Sequence, residues 1–439
     1  MSPQSFQGSI EVNKFISIIY MGAFLSIIVG FSIASIFMPD RNFSASENRT
    51  LSKLPTVRVD SLISRSFFED MNQYLNDQIV FRDGMVKIYQ KQQNSKLFNA
   101  MLFENMLRTS VPTKLEDGTE VTDSRIVSKI VLTNNTWMLP VPSKVVYTKQ
   151  IDAATTKLNE AVQFAEEQGT ETYFVFNPSR TKALMHLYPT YLRTDSYAES
   201  KDYFLSKLDR AMNVVNIGNK FDTFTNAELE ELYLETDHHW NIKGAFTGYQ
   251  EMITQLSNRS PIFEDEPMSL NEINVFQLLD GRFEGSYNNQ INYAINPKKA
   301  DRTIIYEPQI SFSFSNFEVI NKDGTQTITD FNDFYGFKRG RSTYNYGSIY
   351  GGDRQKIVYE NPQANNQLNV LLLKDSFMNP ITPYLAQHFN KLTVLDNRYY
   401  SEFSLQNVLT SEHYDMFMIA FHDDNLFSGN YEFEKKTEY

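Results

Sequence analysis

The 439-residue sequence predicts an α/β fold. It reads as a parallel sheet with helices on both faces, interrupted by a β-rich insertion and preceded by a transmembrane helix. Three observations point there. From about residue 149, apolar residues at helical spacing alternate with short apolar runs, the rhythm of strands joined by helical crossovers. That rhythm stops between about residues 261 and 366 and then resumes. Ahead of both lies an uncharged apolar run, Phe15 to Met38.

The elements follow in order. Residues 1–14 read as a short cytoplasmic N-terminus. The 24 residues of the run 15–38 would rise about 36 Å as a helix, enough to cross a bilayer with some tilt. A cleaved signal is the competing reading. Its apolar region is usually ~7–15 residues long, and no small-x-small site follows here. Only Lys14 precedes the run, whereas Arg41, Arg49, Lys53 and Arg58 follow it. Large C-terminal domains cross membranes largely regardless of such charge. Residues 39–60 are polar and aperiodic, a linker. Residues 61–148 form a helical and mixed segment. Phe67, Phe68, Met71, Tyr74 and Leu75, then Val80, Met85, Ile88 and Tyr89, predict helix over Phe67–Lys91. Asn76-Asp77-Gln78 and Arg82-Asp83-Gly84 interrupt it, so one helix or two would fit. Residues 106–148 suggest short strands.

The domain proper is read as 149–439. Ile151, Leu158, Ala161, Val162 and Ala165 predict a helix ended by Gly169. Thr172–Phe176 is a buried strand, followed by a helix over about Lys201–Met212 and a short strand at Val214-Val215. A third helix covers Asn241–Leu256. Inside the insertion, Gln309–Phe314 alternates like a strand. Asn321-Lys322-Asp323-Gly324 predicts a hairpin turn between Phe317–Ile320 and Thr325–Thr329. The rhythm then returns with a strand at Asn369–Leu373, a helix at Pro383–Phe389, and strands at Leu392–Leu395 and Met416–Phe421.

Composition removes several functions. The net charge is −12 with no basic block, which argues against nucleic-acid binding. The chain has no cysteine, so disulfides and thiolate metal sites are impossible. Most of the 25 tyrosines and 34 phenylalanines must fill core.

Two motifs carry chemistry. Thr236-Asp237-His238-His239-Trp240-Asn241 holds two of the six histidines directly after a carboxylate. Far away, the run Leu371-Leu372-Leu373 ends in Lys374-Asp375-Ser376-Phe377. Loops at strand ends are where catalytic groups collect on α/β sheets. Asp237 and His239 are two apart, so a carboxylate oxygen can reach Nδ1, fix the tautomer and leave Nε2 to accept the proton of Ser376. Backbone N–H groups at that strand end, Ser376's own among them, can face a developing oxyanion. Plainer readings stand beside this. An Asp-Ser after a strand is commonly a helix cap, and Trp240 reads as a packing residue. A metal could use Asp237, His238, His239 and His422 or Asp424, but no second spaced ligand motif supports it.

The string Asp237-His238-His239-Trp240, with Gly244-Ala245 after it, resembles the signature of the bacterial DHHW family. That family is similar to the alginate O-acetyltransferases of the AlgJ and AlgX type. Phe43–Arg49, Asn76-Asp77-Gln78, Phe81-Arg82-Asp83, Phe283-Glu284-Gly285-Ser286-Tyr287, Lys374–Phe377 and Asp396-Asn397-Arg398-Tyr399-Tyr400 are also similar to family motifs. The resemblance implies an SGNH-hydrolase-like domain in permuted order, with Asp237 orienting, His239 as base and Ser376 as nucleophile. Lys374 departs from the Gly-Asp-Ser form of many SGNH proteins. Asn177 is a candidate oxyanion residue and Arg398 a candidate substrate contact. No cofactor is implied. The implied activity is O-acetylation of a cell-surface or exported polysaccharide by a single-pass membrane protein. Its catalytic domain would lie outside the cytoplasm. A membrane-bound O-acyltransferase partner would supply acetyl groups. A carbohydrate acetylesterase with the same triad, and a non-catalytic polysaccharide-binding or assembly subunit, are the alternatives.

Overall fold

The structure is a computed structural model. It describes residues 129–277 without 134–135, 282–291, 304–331 without 328–329, residue 334, 343–426 and 429–435. Before residue 129 it describes chiefly 37–57 (without 42 and 45–48), 66–80 and shorter pieces. The chain divides into two compact units, one within residues 1–93 and one within 94–438.

The run 15–38 lies mostly outside the described residues; those described in it are almost all helical. Among the described residues, no helix is long and apolar enough to cross a membrane. In the same unit, the helix Ser66–Gln78 ends directly after Asn76-Asp77-Gln78, and residues 82, 84 and 88 are helical beyond the break. That tripeptide has a structural task. Asp77 is buried, and its carboxylate accepts from Ser52 N–H. The Gln78 side chain accepts from Arg41 N–H and donates to the carbonyls of Arg41 and Ser52. The helix end thus pins the stretch read as linker. Within that stretch Phe43–Ser44 also pairs antiparallel with Arg49–Thr50.

The second unit is built on an eight-stranded sheet. Its strands are β1 (Glu171–Asn177), β2 (Asn213–Asn216), β3 (Asn316–Ile320), β4 (Gln326–Thr327), β5 (Lys356–Glu360), β6 (Asn366–Lys374), β7 (Phe389–Leu395) and β8 (Met416–His422). The order is β4-β3-β5-β7-β6-β8-β1-β2. The run from β7 to β2 is parallel throughout. From β7 outward to β4 the pairing is antiparallel. The sheet is therefore mixed rather than purely parallel, because the β-rich insertion does not form a separate body. Three strands from it and its end extend the parallel sheet at one edge.

Side-chain alternation explains why both faces are covered. On β1, Tyr173 and Val175 face the side that holds helix α3 (Ile242–Arg259), through Ala245, Phe246, Tyr249, Met252 and Ile253. Phe174 and Phe176 face the other side, against α1 (Thr148–Glu167), α2 (Ser196–Lys207) and α4 (Leu405–Ser411), through Ile151, Leu158, Val162, Phe204 and Leu409. Strand β6 repeats the split, with Val370 and Leu372 one way and Leu371 and Leu373 the other. Each such fully buried side chain contributes about 1.5–3 kcal/mol. Helix α1 ends as expected. Gly169 has φ +76°, Gly169 N–H bonds Glu166 O and Thr170 N–H bonds Ala165 O, a left-handed C-terminal cap.

Three expectations are corrected. The alternating stretch Gln309–Phe314 pairs with no strand; strands flank it at Ile304–Pro308 and β3. Phe312 and Phe314 pack against the core without a ladder partner, so alternation here records burial alone. The helix expected at Pro383–Phe389 is a single turn, Thr382–Leu385, because Phe389 already pairs with Asn366 as the first residue of β7. Helix α2 lies at Ser196–Lys207, earlier than Lys201–Met212, since Asn213 must begin β2. The Asn321–Gly324 turn is present, with Gly324 at φ +82° and Val319 paired with Thr327.

Candidate active site

Parallel strands β1, β6 and β8 deliver Asn177, Lys374 and His422 to one carboxyl edge. The Asp237 loop arrives from the β2–α3 connection. It is closed by the Tyr233–Trp240 bridge and by bonds from Leu234 N–H to His239 O and Asn241 N–H to Leu232 O. Tyr233 O–H ties it to Pro178 O at the end of β1. Asn241 then caps α3 through Lys243 and Gly244 N–H. The Trp240 indole lies against the helix where glycine leaves room. A Cβ on Gly244 would meet Leu232 O at 2.3 Å, and one on Gly248 would meet the indole ring at 2.8 Å. Trp240 Nε1–H donates to Phe377 O at 2.9 Å, so this packing residue also joins the two motifs.

The three residues singled out by sequence meet in one relay. Asp237 Oδ1 is 2.6 Å from His239 Nδ1 and also accepts His239 N–H at 3.1 Å. His239 Nε2 is 2.7 Å from Ser376 Oγ. The geometry fits Nδ1–H donating to the carboxylate and Nε2 accepting the serine O–H. Burial pushes the Asp237 carboxyl up, but the His239 ring, its hydrogen bond, His238 and the Ser286 N–H outweigh this and hold it well below the usual carboxylate range. Asp237 is 2% and His239 5% exposed, while Ser376 is half-buried. The acid is thus screened and the hydroxyl reachable.

Asp375 supplies the cap expected for an Asp-Ser. Its carboxylate accepts Phe377 N–H at 3.0 Å. The capping task falls to Asp375 and leaves the Ser376 hydroxyl for His239. Asp375 also accepts His422 N–H and Nδ1–H, at 2.8 and 2.6 Å.

Several contributors carried no readable role in the sequence. Ser286 N–H donates to Asp237 Oδ2 at 2.7 Å. Its hydroxyl accepts from His238 N–H and faces His238 Nδ1 at 2.7 Å. Gly285 permits this approach, because a Cβ there would lie 2.1 Å from Thr236 O. Tyr346 stacks flat on the His239 ring at 3.6 Å and 3°, and its O–H donates to Ser376 O at 3.1 Å. Arg180, 1% exposed, donates to Asp237 O between the rings of Trp137 and Tyr287. The Phe283–Tyr287 string was the one available signal for Ser286. Nothing comparable marked Tyr346 or Arg180.

Asn177 and Arg398 are not joined to the relay. Asn177 sits at the end of β1, fully buried, and its amide has no hydrogen-bond partner among the described residues. Arg398 grips Asp396 through Nε and Nη2 at 2.8 and 2.7 Å. Lys374, 2% exposed, joins the same network, bonding Asn379 at 2.6 Å and Asp396 at 3.4 Å. Lys374 therefore ties the strand end that carries Ser376 to Asn379 and Asp396. Asp237, His238 and His239 also offer three ligating atoms within 4.8 Å. Those of Asp237 and His239 bond each other and Ser376, and His238 Nδ1 bonds Ser286, which is a hydrogen-bond relay rather than a ligand shell.

An α/β sheet with an Asp–His–Ser relay at its carboxyl edge defines the class. Residues 192–395 match the family described as DHHW protein, which bears out the resemblance read from the motifs. Among solved structures, Bacillus cereus PatB1 with a sulfonyl adduct has 28% identity and a TM-score of 0.64, covering 71% of this chain and 100% of that one. A DHHW family protein from Eubacterium siraeum has 18% identity and a TM-score of 0.53, covering 71% of this chain and 96% of that one; it shares the fold. The O-acetyltransferase domain of Pseudomonas putida AlgJ aligns at 11% identity and a TM-score of 0.39, over 71% and 93% of the two chains. No curated protein sequence matches the chain closely.

Proposed function

We propose that the protein is an O-acetyltransferase of a cell-surface or exported polysaccharide, with an SGNH-like catalytic domain held outside the cytoplasm by the segment 15–38. The observation that carries the chemistry is the continuous relay Asp237–His239–Ser376, at 2.6 and 2.7 Å. In the first half-reaction, Ser376 Oγ attacks the acetyl carbonyl as His239 Nε2 takes its proton. The donor's leaving group departs with that proton, and acetyl-Ser376 remains. In the second, His239 takes the proton of a sugar hydroxyl that attacks the ester. The Ser376 C–O bond breaks, the proton returns to Oγ and the acetylated sugar leaves. Asp237 stabilises the imidazolium formed each time. A membrane-bound O-acyltransferase is the partner class that would bring acetyl groups to this side.

The test is covalent labelling. Incubation with p-nitrophenyl acetate, quenched in acid, should add one acetyl mass to the peptide holding Ser376. The sulfonyl adduct of the PatB1 structure supports using phenylmethylsulfonyl fluoride, which should label the same peptide. Both labels reproducibly on another residue would end the mechanism.

The address rests on the uncharged run 15–38, within which Phe24, Leu25 and Val29 are exposed. Protease added to intact spheroplasts should degrade the domain beyond residue 60. A fully protected domain would remove both the address and the polysaccharide role.

A further inference from the structure

We propose that the cavity between His238 and His422 is the subsite for the acyl acceptor, and that His422 accepts at Nε2 a hydrogen bond from a hydroxyl of an uncharged sugar held there. This rests on the acyl-transfer reading of Ser376 and names its acceptor site.

Four observations place His422 in that role. Lys374 is in register with Ala420, so His422 ends β8 beside the turn that carries Ser376. Its ring is locked on two sides. Nδ1 bonds Asp375, the residue before Ser376, at 2.6 Å, and one ring face stacks on Phe377, the residue after it, at 4.5 Å and 13°. With Nδ1 engaged, Nε2 is left without a partner among the described residues. His422 and His238 then line one cavity of about 350 Å³. An Asp–His pair that holds Nδ1–H on the carboxylate leaves Nε2 as a free acceptor, as in the tautomer argued above for His239. Here the pair stands next to the nucleophile without belonging to its relay.

The lining selects the ligand. Ser143, Thr181, Tyr197 and Ser200 contribute hydroxyls, and Asp423 and Asp424 contribute carboxylates. Hydroxyls and carboxylates match the alternating donors and acceptors of a sugar ring. Asp423 is paired with Lys201 at 3.5 Å, so Asp424 is the carboxylate that would repel a uronate, and an uncharged sugar is the better fit. The acceptor's attacking hydroxyl gives its proton to His239 as in the second half-reaction above. His422 accepts a hydrogen bond from another hydroxyl of the same sugar and exchanges no proton.

The test separates acylation from transfer. Full-length protein is acylated with p-nitrophenyl acetate, and the burst reports formation of acetyl-Ser376. Cellotriose or glycerol then competes with water for the acetyl group. In His422→Asn the transfer-to-hydrolysis ratio, which partitions whatever acetyl-Ser376 forms, should fall about fivefold to tenfold, the loss of one hydrogen bond. Ser200→Val narrows the cavity from α2 without a bond to Asp375, and should lower the same ratio. With wild type, cellotriose should outcompete an oligogalacturonate. An unchanged ratio in both variants, preference for the uronate, or loss of the burst in His422→Asn with an unchanged ratio in Ser200→Val would overturn the acceptor site. Absence of a burst in the wild type would instead strike the acyl-enzyme reading, and this inference with it.

Discussion

Ser376→Ala should lose turnover of an activated acetyl ester by roughly four to six powers of ten, the scale on which triad nucleophiles act, and should keep its fold. The size follows from the relay. Without Oγ, His239 has no hydroxyl to deprotonate, and a water in its place forms no acyl intermediate. Retention of the fold follows from the turn. The cap belongs to Asp375, whose carboxylate holds Phe377 N–H. Ser376 contributes its carbonyl, which accepts from Tyr346 O–H and Asn379 N–H, and those bonds survive the substitution. The half-buried hydroxyl itself bonds only the His239 ring. The melting temperature should therefore move by a few degrees at most, while kcat collapses. A protein that unfolds on this change would return Ser376 to the capping role. A folded variant with full activity would remove it from the chemistry.

The three residues of the relay drew attention because each has a local signature. Asp237 and His239 are two apart, and Ser376 ends an apolar run that could only be a central strand. Their supporting residues were not legible, because contacts such as Ser286–Asp237 and Arg180–Asp237, across 49 and 57 residues, depend on the path of the chain. Ser286 and Tyr346 come from the β-rich insertion, whose strands could be recognised but not assigned an edge. His422 and Asp424 drew attention only as possible metal ligands. The structure gives His422 an Asp375 partner that sequence distance concealed.

A second cluster shows that side-chain chemistry alone does not make a site. Asp265 Oδ2 lies 2.8 Å from His388 Nδ1, and His388 Nε2 lies 2.8 Å from Tyr249 O–H. This is again acid, imidazole and hydroxyl in a row. Yet Tyr249 is 1% exposed and His388 5%. The tyrosine hydroxyl accepts Met268 N–H, and burial pushes its pKa well up. The row ties α3 to the loop at 263–268 and lies away from the carboxyl edge. What separates the two clusters is where the strands end, which is topology rather than spacing.

The neighbouring histidines of the motif should separate sharply. His239→Ala should lower turnover by about four powers of ten or more, as loss of a triad base does, and should abolish acetyl labelling of Ser376. His238→Ala should cost about tenfold or less, within the range of a lost side-chain bond. Only His239 reaches both partners, Asp237 at 2.6 Å and Ser376 at 2.7 Å. His238 reaches neither so closely, its Nδ1 lying 3.7 Å from Asp237 and bonded to Ser286. Burial and the adjacent His239 push the His238 pKa down to about 3, so it is neutral wherever the base works. The moderate loss comes from packing, since the two rings lie 3.7 Å apart and His238 walls one side of the base. The sign also fixes the acid limb. Holding Asp237 well below its usual value keeps its carboxylate charged to low pH, and the stability it lends is lost only as pH falls through that depressed value. Protonation of Asp237 should therefore not limit activity in weakly acidic buffer, in wild type and His238→Ala alike. Measuring kcat and burst amplitude for both variants decides the assignment. Equal losses would make the pair a single unit, and a larger loss in His238→Ala would exchange their roles.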